Sequence, residues 1–382
     1  MNGIRRRTWA QIDLDAAADN FAQIRGATSA RVCCVIKANA YGHGAVVLAR
    51  LYESLHADFL AVSNIEEALQ LRRGAIRLPL LILGYTPPEC APLLCDNDIS
   101  QCVYSAEYAE ALSAAAVAAG KDVRVHVKLD TGMGRIGFTE RQIADAERVC
   151  RLPGLSPEGV FTHFAVADEG DAGEAFTRLQ FDRFQRMSER LTAAAGKKLL
   201  RHCANSAALF DYPEFALDMV RAGDVLYGLA PSDKMRHLPA LKPVMTLNTV
   251  ISHVKEIEAG DTVSYGRMYK ADKQTKIATV PIGYADGFPR LAGGKYGMLL
   301  GDRLVPIAGR VCMDQTMLDV TGTDARVGDV VTVFGGTVSS ADKLAEAAQT
   351  INYEIVCAVG ERVPRFYVRG GTVVEVCDNL CE

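Results

Sequence analysis

A (β/α)8 barrel followed by a mainly β C-terminal domain is the fold class this sequence predicts. Three observations lead there. Eight short apolar runs alternate with amphipathic or Ala-rich stretches over the first two-thirds of the chain. After the Pro231–Pro243 stretch the alternation gives way to closely spaced β-runs. A length of 382 residues accommodates one large barrel plus a smaller unit.

In chain order the strand-like runs are Val32–Lys37, Phe59–Ser63, Leu78–Leu83, Gln101–Tyr104, Val123–Leu129, Gly159–His163, Leu199–Cys203 and Met219–Arg221. Helical patterns fall between them, at Asn64–Arg73, Ala106–Ala119, Thr139–Arg151 and Ala175–Ala195. Repeated βα units imply a parallel sheet, and eight of them fit a closed barrel; pattern alone leaves an open doubly wound sheet as the alternative. From Val244 the β-runs are Thr246–Glu256, Lys276–Ile282, Met298–Ile307, Cys312–Val320, Val330–Phe334 and Arg362–Val368, with one helical insert at Ala341–Thr350. The expected boundary places 1–236 in the barrel and 237–382 in the β-rich domain, with the extreme N-terminus packing on the latter.

Composition narrows the function classes. Hydrophobic residues make up 49% and charged residues 23%, which is globular composition, and Lys plus Arg (42) against Asp plus Glu (46) leaves a net charge of −4. A nucleic-acid or anionic-membrane surface as main partner is disfavoured. Arg5-Arg6-Arg7 precedes Thr-Trp-Ala-Gln-Ile-Asp rather than an apolar stretch, so it does not read as a secretory signal. No run approaches the ~18 apolar residues of a membrane span. The eleven cysteines show no C-x-x-C spacing and several sit inside apolar runs. They read as structural thiols in a reducing cytoplasm, with no metal site expected.

The residues with chemical potential cluster at the ends of the strand-like runs. Lys37 opens Lys37-Ala38-Asn39-Ala40-Tyr41-Gly42-His43-Gly44; at the C-terminal end of a barrel strand it faces the active-site mouth, where partial burial suits a Schiff-base lysine. A lysine ending a strand is otherwise a snorkelling surface residue. Asp130-Thr131-Gly132-Met133-Gly134-Arg135-Ile136-Gly137 fits G-x-G-x-x-G, which raises a rival dinucleotide site. Against that rival, the loop follows at least four earlier strands, and the acidic candidate about 20 residues on, Glu158, precedes the next strand-like run instead of ending it. His163, the His202–Ser206 segment and the Arg221–Gly228 segment also follow strand-like runs. Alone, each reads as a structural histidine, a helix cap or half of an ion pair. Their shared position at strand ends points to one barrel face, with Ser206 and the Gly223–Asp224 backbone as phosphate donors. The β-rich half adds Tyr265, the Tyr284-Ala285-Asp286-Gly287 run, Met313 and Tyr353, which by themselves read as turn or packing residues.

Taken together, the lysine motif, the DTGMGRIG loop, the YGLAPS run (Tyr227–Ser232), the YADG motif and the CMDQ motif (Cys312–Gln315) resemble the alanine racemase family, pyridoxal-phosphate enzymes of fold type III. The resemblance runs from Trp9 to Arg365. It implies pyridoxal 5'-phosphate held covalently by Lys37 and surrounded by Tyr41, Asn205, Ser206, Gly223, Asp224 and Tyr353, with backbone N–H contacts at Gly223 and Asp224. Arg221 would face the pyridine nitrogen, and His163 would bridge toward Arg221 and Tyr265. Arg135 and the Met313 main chain would bind the carboxylate of a small amino-acid substrate. Tyr265 would come from the partner subunit of a homodimer as the second base opposite Lys37. A free tyrosine titrates at about 10, so that role requires nearby positive charge or donors. Asp224 stands where many relatives carry an apolar residue, and Lys128 corresponds to a lysine that is carbamylated in some of them. The implied activity is interconversion of L- and D-alanine for cell-wall peptidoglycan. The alternatives are a serine or broad-specificity racemase, a non-racemising cofactor-binding homologue, or a decarboxylase of the same barrel superfamily, whose motifs match this chain less well.

Overall fold

The computed structural model describes residues 7–380; Arg5, Arg6 and Cys381 lie outside that range. The chain divides into two compact units. One comprises Ala18–Ala40 and Ala45–Lys242, the other the chain up to Ala17, Tyr41–Gly44 and everything from Pro243 onward.

The first strand, β1 (Thr8–Asp13), belongs to the second unit and leads into helix α1 (Leu14–Gly26). The next eight strands form a parallel sheet: β2 (Arg31–Val35), β3 (Phe59–Val62), β4 (Leu80–Ile82), β5 (Ile99–Val103), β6 (Val123–Lys128), β7 (Leu155–Phe161), β8 (Leu200–His202) and β9 (Met219–Ala222). Their spatial order is β8-β7-β6-β5-β4-β3-β2-β9. The two edges meet where Asp218 N–H donates to the Arg201 carbonyl (3.1 Å) and Arg221 N–H to the Ala204 carbonyl (3.0 Å). The sheet is therefore a barrel. A doubly wound sheet would reverse its strand order at a switch point, and this order does not reverse.

Burial on both faces explains the near-continuous apolar composition of β3 and β4. Outside the sheet run α2 (Ala45–Ser54), α3 (Ile65–Arg73), α4 (Ala91–Asp96), α5 (Ala106–Ala118), α6 (Ile143–Val149), α7 (Asp171–Ala195) and α8 (Ser206–Asp211). Side-chain caps start several of these helices: Asn64 accepts from Glu67 N–H (2.9 Å), Ser105 from Tyr108 N–H (3.2 Å) and Asn205 from Ala208 N–H (3.0 Å). The helical pattern at Thr139–Arg151 is a short 3-10 turn, Glu140–Gln142, followed by α6.

In the other unit one seven-stranded sheet has the order β16-β15-β18-β10-β1-β19-β20, and a three-stranded sheet has the order β11-β14-β17. These strands are β10 (Met245–Val250), β11 (His253–Ile257), β12 (Thr262–Val263), β13 (Tyr269–Lys270), β14 (Thr275–Val280), β15 (Gly297–Leu300), β16 (Arg303–Pro306), β17 (Thr316–Asp319), β18 (Val330–Phe334), β19 (Arg365–Arg369) and β20 (Thr372–Cys377). Helices α9 (Ala341–Ala348) and α10 (Asn352–Cys357) complete it. Two expected runs each split. Thr246–Glu256 breaks at Ile251-Ser252 into β10 and β11, which join different sheets, and Met298–Ile307 folds back as the β15–β16 hairpin. The first half of Cys312–Val320 is a turn in which Cys312 N–H donates to the Gln315 carbonyl (2.9 Å).

Among the described residues no helix is long and apolar enough to cross a membrane. Cys33, Cys102 and Cys203 are fully buried, and burial pushes each thiol up to about 12, so these thiols stay protonated.

Candidate active site

Lys37 leaves β2 at its C-terminal end, and the chain there is held from several sides. The Tyr227 hydroxyl donates to the Val35 carbonyl (2.8 Å), and Ile36 N–H donates to the Ala61 carbonyl (2.9 Å). The Glu67 carboxylate accepts from Ala38 N–H and from Ser63 N–H (both 2.7 Å), and Asn39 accepts from Ala45 N–H (2.8 Å). Ala38, Asn39, Ala40 and Tyr41 all adopt φ between 51° and 54°, a left-handed turn built without glycine. Such a conformation costs roughly 1–2 kcal/mol per residue, so its neighbours must impose it.

Arg221, on β9, is enclosed by the barrel. Its guanidinium donates to the carbonyls of Thr162 (2.8 Å), His202 (3.0 Å) and Cys203 (3.2 Å), and to the Nδ1 atoms of His202 (3.0 Å) and His163 (3.3 Å). Burial lowers its pKa to about 10, which keeps it cationic at neutral pH. Lys128 ends β6, and its Nζ donates to the Leu129 carbonyl (2.7 Å); burial lowers its pKa to about 8. The Phe161 ring lies 5.6 Å from the Lys128 ammonium and 5.4 Å from the Arg221 guanidinium, offering its π face to both. Burial, then the positive charges of Arg221, Arg135, Lys128 and Lys37, hold His163 well below its usual range. This end of the barrel is a field of cations around a neutral imidazole.

Asn205 caps α8, and the Ser206 hydroxyl accepts from Gly223 N–H (2.9 Å), tying the start of α8 to the end of β9. Asp224 begins a buried 3-10 turn, Asp224–Tyr227, that closes at Gly228 (φ +76°). Arg135 is exposed on the loop after β6. In that loop Asp130 accepts from the N–H groups of Gly132 (3.0 Å) and Gly134 (3.1 Å). The two amides that a pyrophosphate would need are thus turned onto the protein's own carboxylate, which counts against a dinucleotide site.

The β-rich unit holds the other expected residues. Tyr41 and Tyr353 face each other with ring centroids 6.1 Å apart. Gly42 passes so close to α10 that a Cβ would lie 2.2 Å from the Val356 carbonyl oxygen, and Arg365 donates to the Gly42 carbonyl (3.1 Å). Tyr265 is 68% exposed, between Ser264 and Gly266, which both have positive φ; the Ser264 hydroxyl donates to the Arg310 carbonyl (2.6 Å). The Met313 side chain is exposed, and its carbonyl accepts from Ala285 N–H (3.0 Å). Asp286, of the YADG motif, is buried and bonded to Arg7 (2.7 Å), Arg362 (2.8 Å) and Gly283 N–H (2.9 Å). Sequence reasoning missed Glu67. A glutamate in the first turn of a capped helix looks like an ordinary surface residue.

Comparison with known proteins identifies the family. The model of the alanine racemase N-terminal domain matches residues 12–231, and that of the C-terminal domain matches residues 244–367. The alanine racemase of Desulfovibrio desulfuricans is 47% identical over 95% of this chain and 98% of its own length. That of Clostridium perfringens is 44% identical over 98% and 99%. Among solved structures, alanine racemase from Clostridium difficile superposes with a TM-score of 0.92 at 40% identity, covering 98% of this chain and 99% of that one. The Bacillus anthracis enzyme with bound L-Ala-P gives 0.93 at 35%, covering 99% of each. Both halves of the chain match in family order, and relatives well above 30% identity are covered almost end to end, so the chain belongs to the alanine racemase family.

Proposed function

We propose that the protein is an isomerase that interconverts L- and D-alanine with pyridoxal 5'-phosphate, acting as a cytoplasmic homodimer that supplies D-alanine for peptidoglycan. The observation that carries this reading is the cationic end of the barrel: Lys37, Arg135, Lys128 and Arg221 all act on His163, and Arg221 is buried there. That donor set fits the cofactor. The Ser206 hydroxyl, whose oxygen is held by Gly223 N–H, suits a phosphate as an O–H donor, a lysine suits an aldehyde, and the cations suit two anionic ligands.

In this reading Lys37 binds the cofactor aldehyde. Ser206, Asn205 and the backbone of Gly223 and Asp224 hold the phosphate, with Tyr41 and Tyr353 beside them. When bound, the cofactor spreads the negative charge left on the substrate Cα once its proton departs. Arg221 faces the ring nitrogen as a cation already supplied with acceptors, which disfavours a proton on that nitrogen. Arg135 and the Met313 N–H hold the substrate carboxylate. Racemisation removes a proton from one face of Cα and delivers one to the other, so it calls for two groups on opposite sides. The Lys37 amine takes one side and the Tyr265 hydroxyl of the partner subunit the other. Because Arg221 donates to Nδ1 of His163, that imidazole carries its proton on Nε2 and has a donor to offer toward Tyr265.

The test is chiral analysis of L-alanine and L-serine incubations with and without added pyridoxal phosphate. D-alanine should form with the cofactor, faster than D-serine. Preferential D-serine formation would reassign the substrate, and no D-amino acid from either would overturn racemisation.

A further inference from the structure

Glu158 has no part in the chemistry just described, yet its half-buried carboxylate is turned onto two buried side chains, Ser100 and His126. Between β6 and β7 the register shifts: Val125 faces Pro157 and His126 faces Gly159. Glu158 is thus the extra residue of a β-bulge, a device that re-aims a side chain. Its Oε2 accepts from the Ser100 hydroxyl (2.6 Å) and lies 3.2 Å from His126 Nε2. The next residue is glycine for lack of room, since a Cβ at Gly159 would stand 2.5 Å from Nδ1 of the His126 ring.

From His126 the contacts continue inward. Its Nδ1 is 2.8 Å from His202 Nε2, and His202 Nδ1 is 3.0 Å from the Arg221 guanidinium. Arginine only donates, so it dictates the direction of every bond in the chain. His202 Nδ1 must accept, which places its proton on Nε2. That proton goes to His126 Nδ1, which places the His126 proton on Nε2, directed at Glu158. Glutamate, as a carboxylate, only accepts. The chain Arg221→His202→His126→Glu158 runs one way, with two neutral imidazoles between a cation and an anion. Both rings are completely buried. Burial, then the Arg221 charge, holds His202 in its neutral form.

We propose that Glu158 is a positioning residue that ends this chain, fixes both histidine tautomers and so holds Nδ1 of His202 as an acceptor for Arg221. The consequence for turnover rests on the function proposed above; the tautomer assignment does not. Without an acceptor at Glu158, either the His126 N–H is buried unpaired or both rings switch tautomer and one N–H is turned against Arg221. The first alternative removes what holds the chain in one direction, and the second turns an N–H directly on the guanidinium.

Histidine-15N spectra of the wild-type holoenzyme at pH 8 test the assignment directly. Nδ1 should be unprotonated and Nε2 protonated in both His126 and His202. A doubly protonated His126, or a proton on either Nδ1, overturns the proposal whatever the enzyme racemises. Glu158→Leu should lose the single-tautomer pattern and lower kcat on the order of tenfold, the cost of an unpaired buried donor, with little change in KM. Glu158→Gln, which keeps an accepting oxygen, should restore both readouts. Wild-type spectra and kcat in Glu158→Leu, or a Gln variant as impaired as the Leu variant, would refute the acceptor role. If the tautomers are as assigned but no D-amino acid forms, the functional reading fails and the chain stands.

Discussion

Arg221 is a permanent charge enclosed by the barrel, and its partners are carbonyls and imidazole nitrogens rather than a carboxylate in direct contact. If Arg221 faces the ring nitrogen as proposed, a glutamate in its place would hold a proton there and strengthen the ring as an electron sink. Arg221→Glu should therefore slow racemisation and raise the fraction of turnovers ending in transamination. Pyruvate formed per racemisation event is the measurement, and an unchanged ratio at unchanged rate would remove Arg221 from the ring. Glu158 offers a test of stability against pH. Burial pushes its carboxyl up, but the hydrogen bonds from His126 and Ser100 outweigh that and hold it at about 2. The unfolded chain titrates near 4.3, so this stabilisation is fully present above about pH 4.3 and is lost as pH falls toward about 2. Urea unfolding of wild type and Glu158→Gln should show a stability gap that narrows over that interval; a constant gap would contradict the assignment.

At the level of elements, the left-handed turn after β2 carries the most conformational cost in a short span. Its exit is set by glycines that nothing larger can replace. At Gly44 (φ +100°) a Cβ would lie 1.8 Å from the Tyr367 hydroxyl oxygen. Gly44→Ala should lower stability by about 2 kcal/mol or more, from overpacking plus backbone strain. Adding Tyr367→Phe should recover the part of the overpacking that the hydroxyl causes, leaving the ring carbon at 2.9 Å and the strain, as denaturant titration of the single and double variants would show. A double variant no better than the single would place the whole effect outside the hydroxyl contact. The sequence makes the eight strands of the barrel legible because apolar runs separated by helical patterns have few other folds. Lys37, His163 and Arg221 were visible as candidates because each follows or ends such a run. The turn was not visible: Ala38, Asn39, Ala40 and Tyr41 include no glycine to announce positive φ. The Glu158 bulge was hidden for a related reason. One extra residue changes which side chains point inward without altering the apolar pattern. The break at Ile251-Ser252 carries no glycine or proline to announce it.

On the scale of the whole molecule, the proposed chemistry needs two chains. Lys37 belongs to the barrel unit and Tyr265 to the β-rich unit, where the residue is 68% exposed, as the proposed role in a partner's site requires. If each site takes Lys37 from one subunit and Tyr265 from the other, two inactive variants can complement each other. Lys37→Ala and Tyr265→Phe homodimers should each be severely impaired. A mixed dimer holds one site with both wild-type residues and one with neither. Random exchange of equal amounts makes about half the dimers mixed, so about a quarter of all sites should regain wild-type activity. The measurement is L- to D-alanine conversion after mixing the two variants, with differently tagged chains to verify exchange. Recovery approaching a quarter of the wild-type rate is the expected result; verified exchange with no recovery would contradict the shared site.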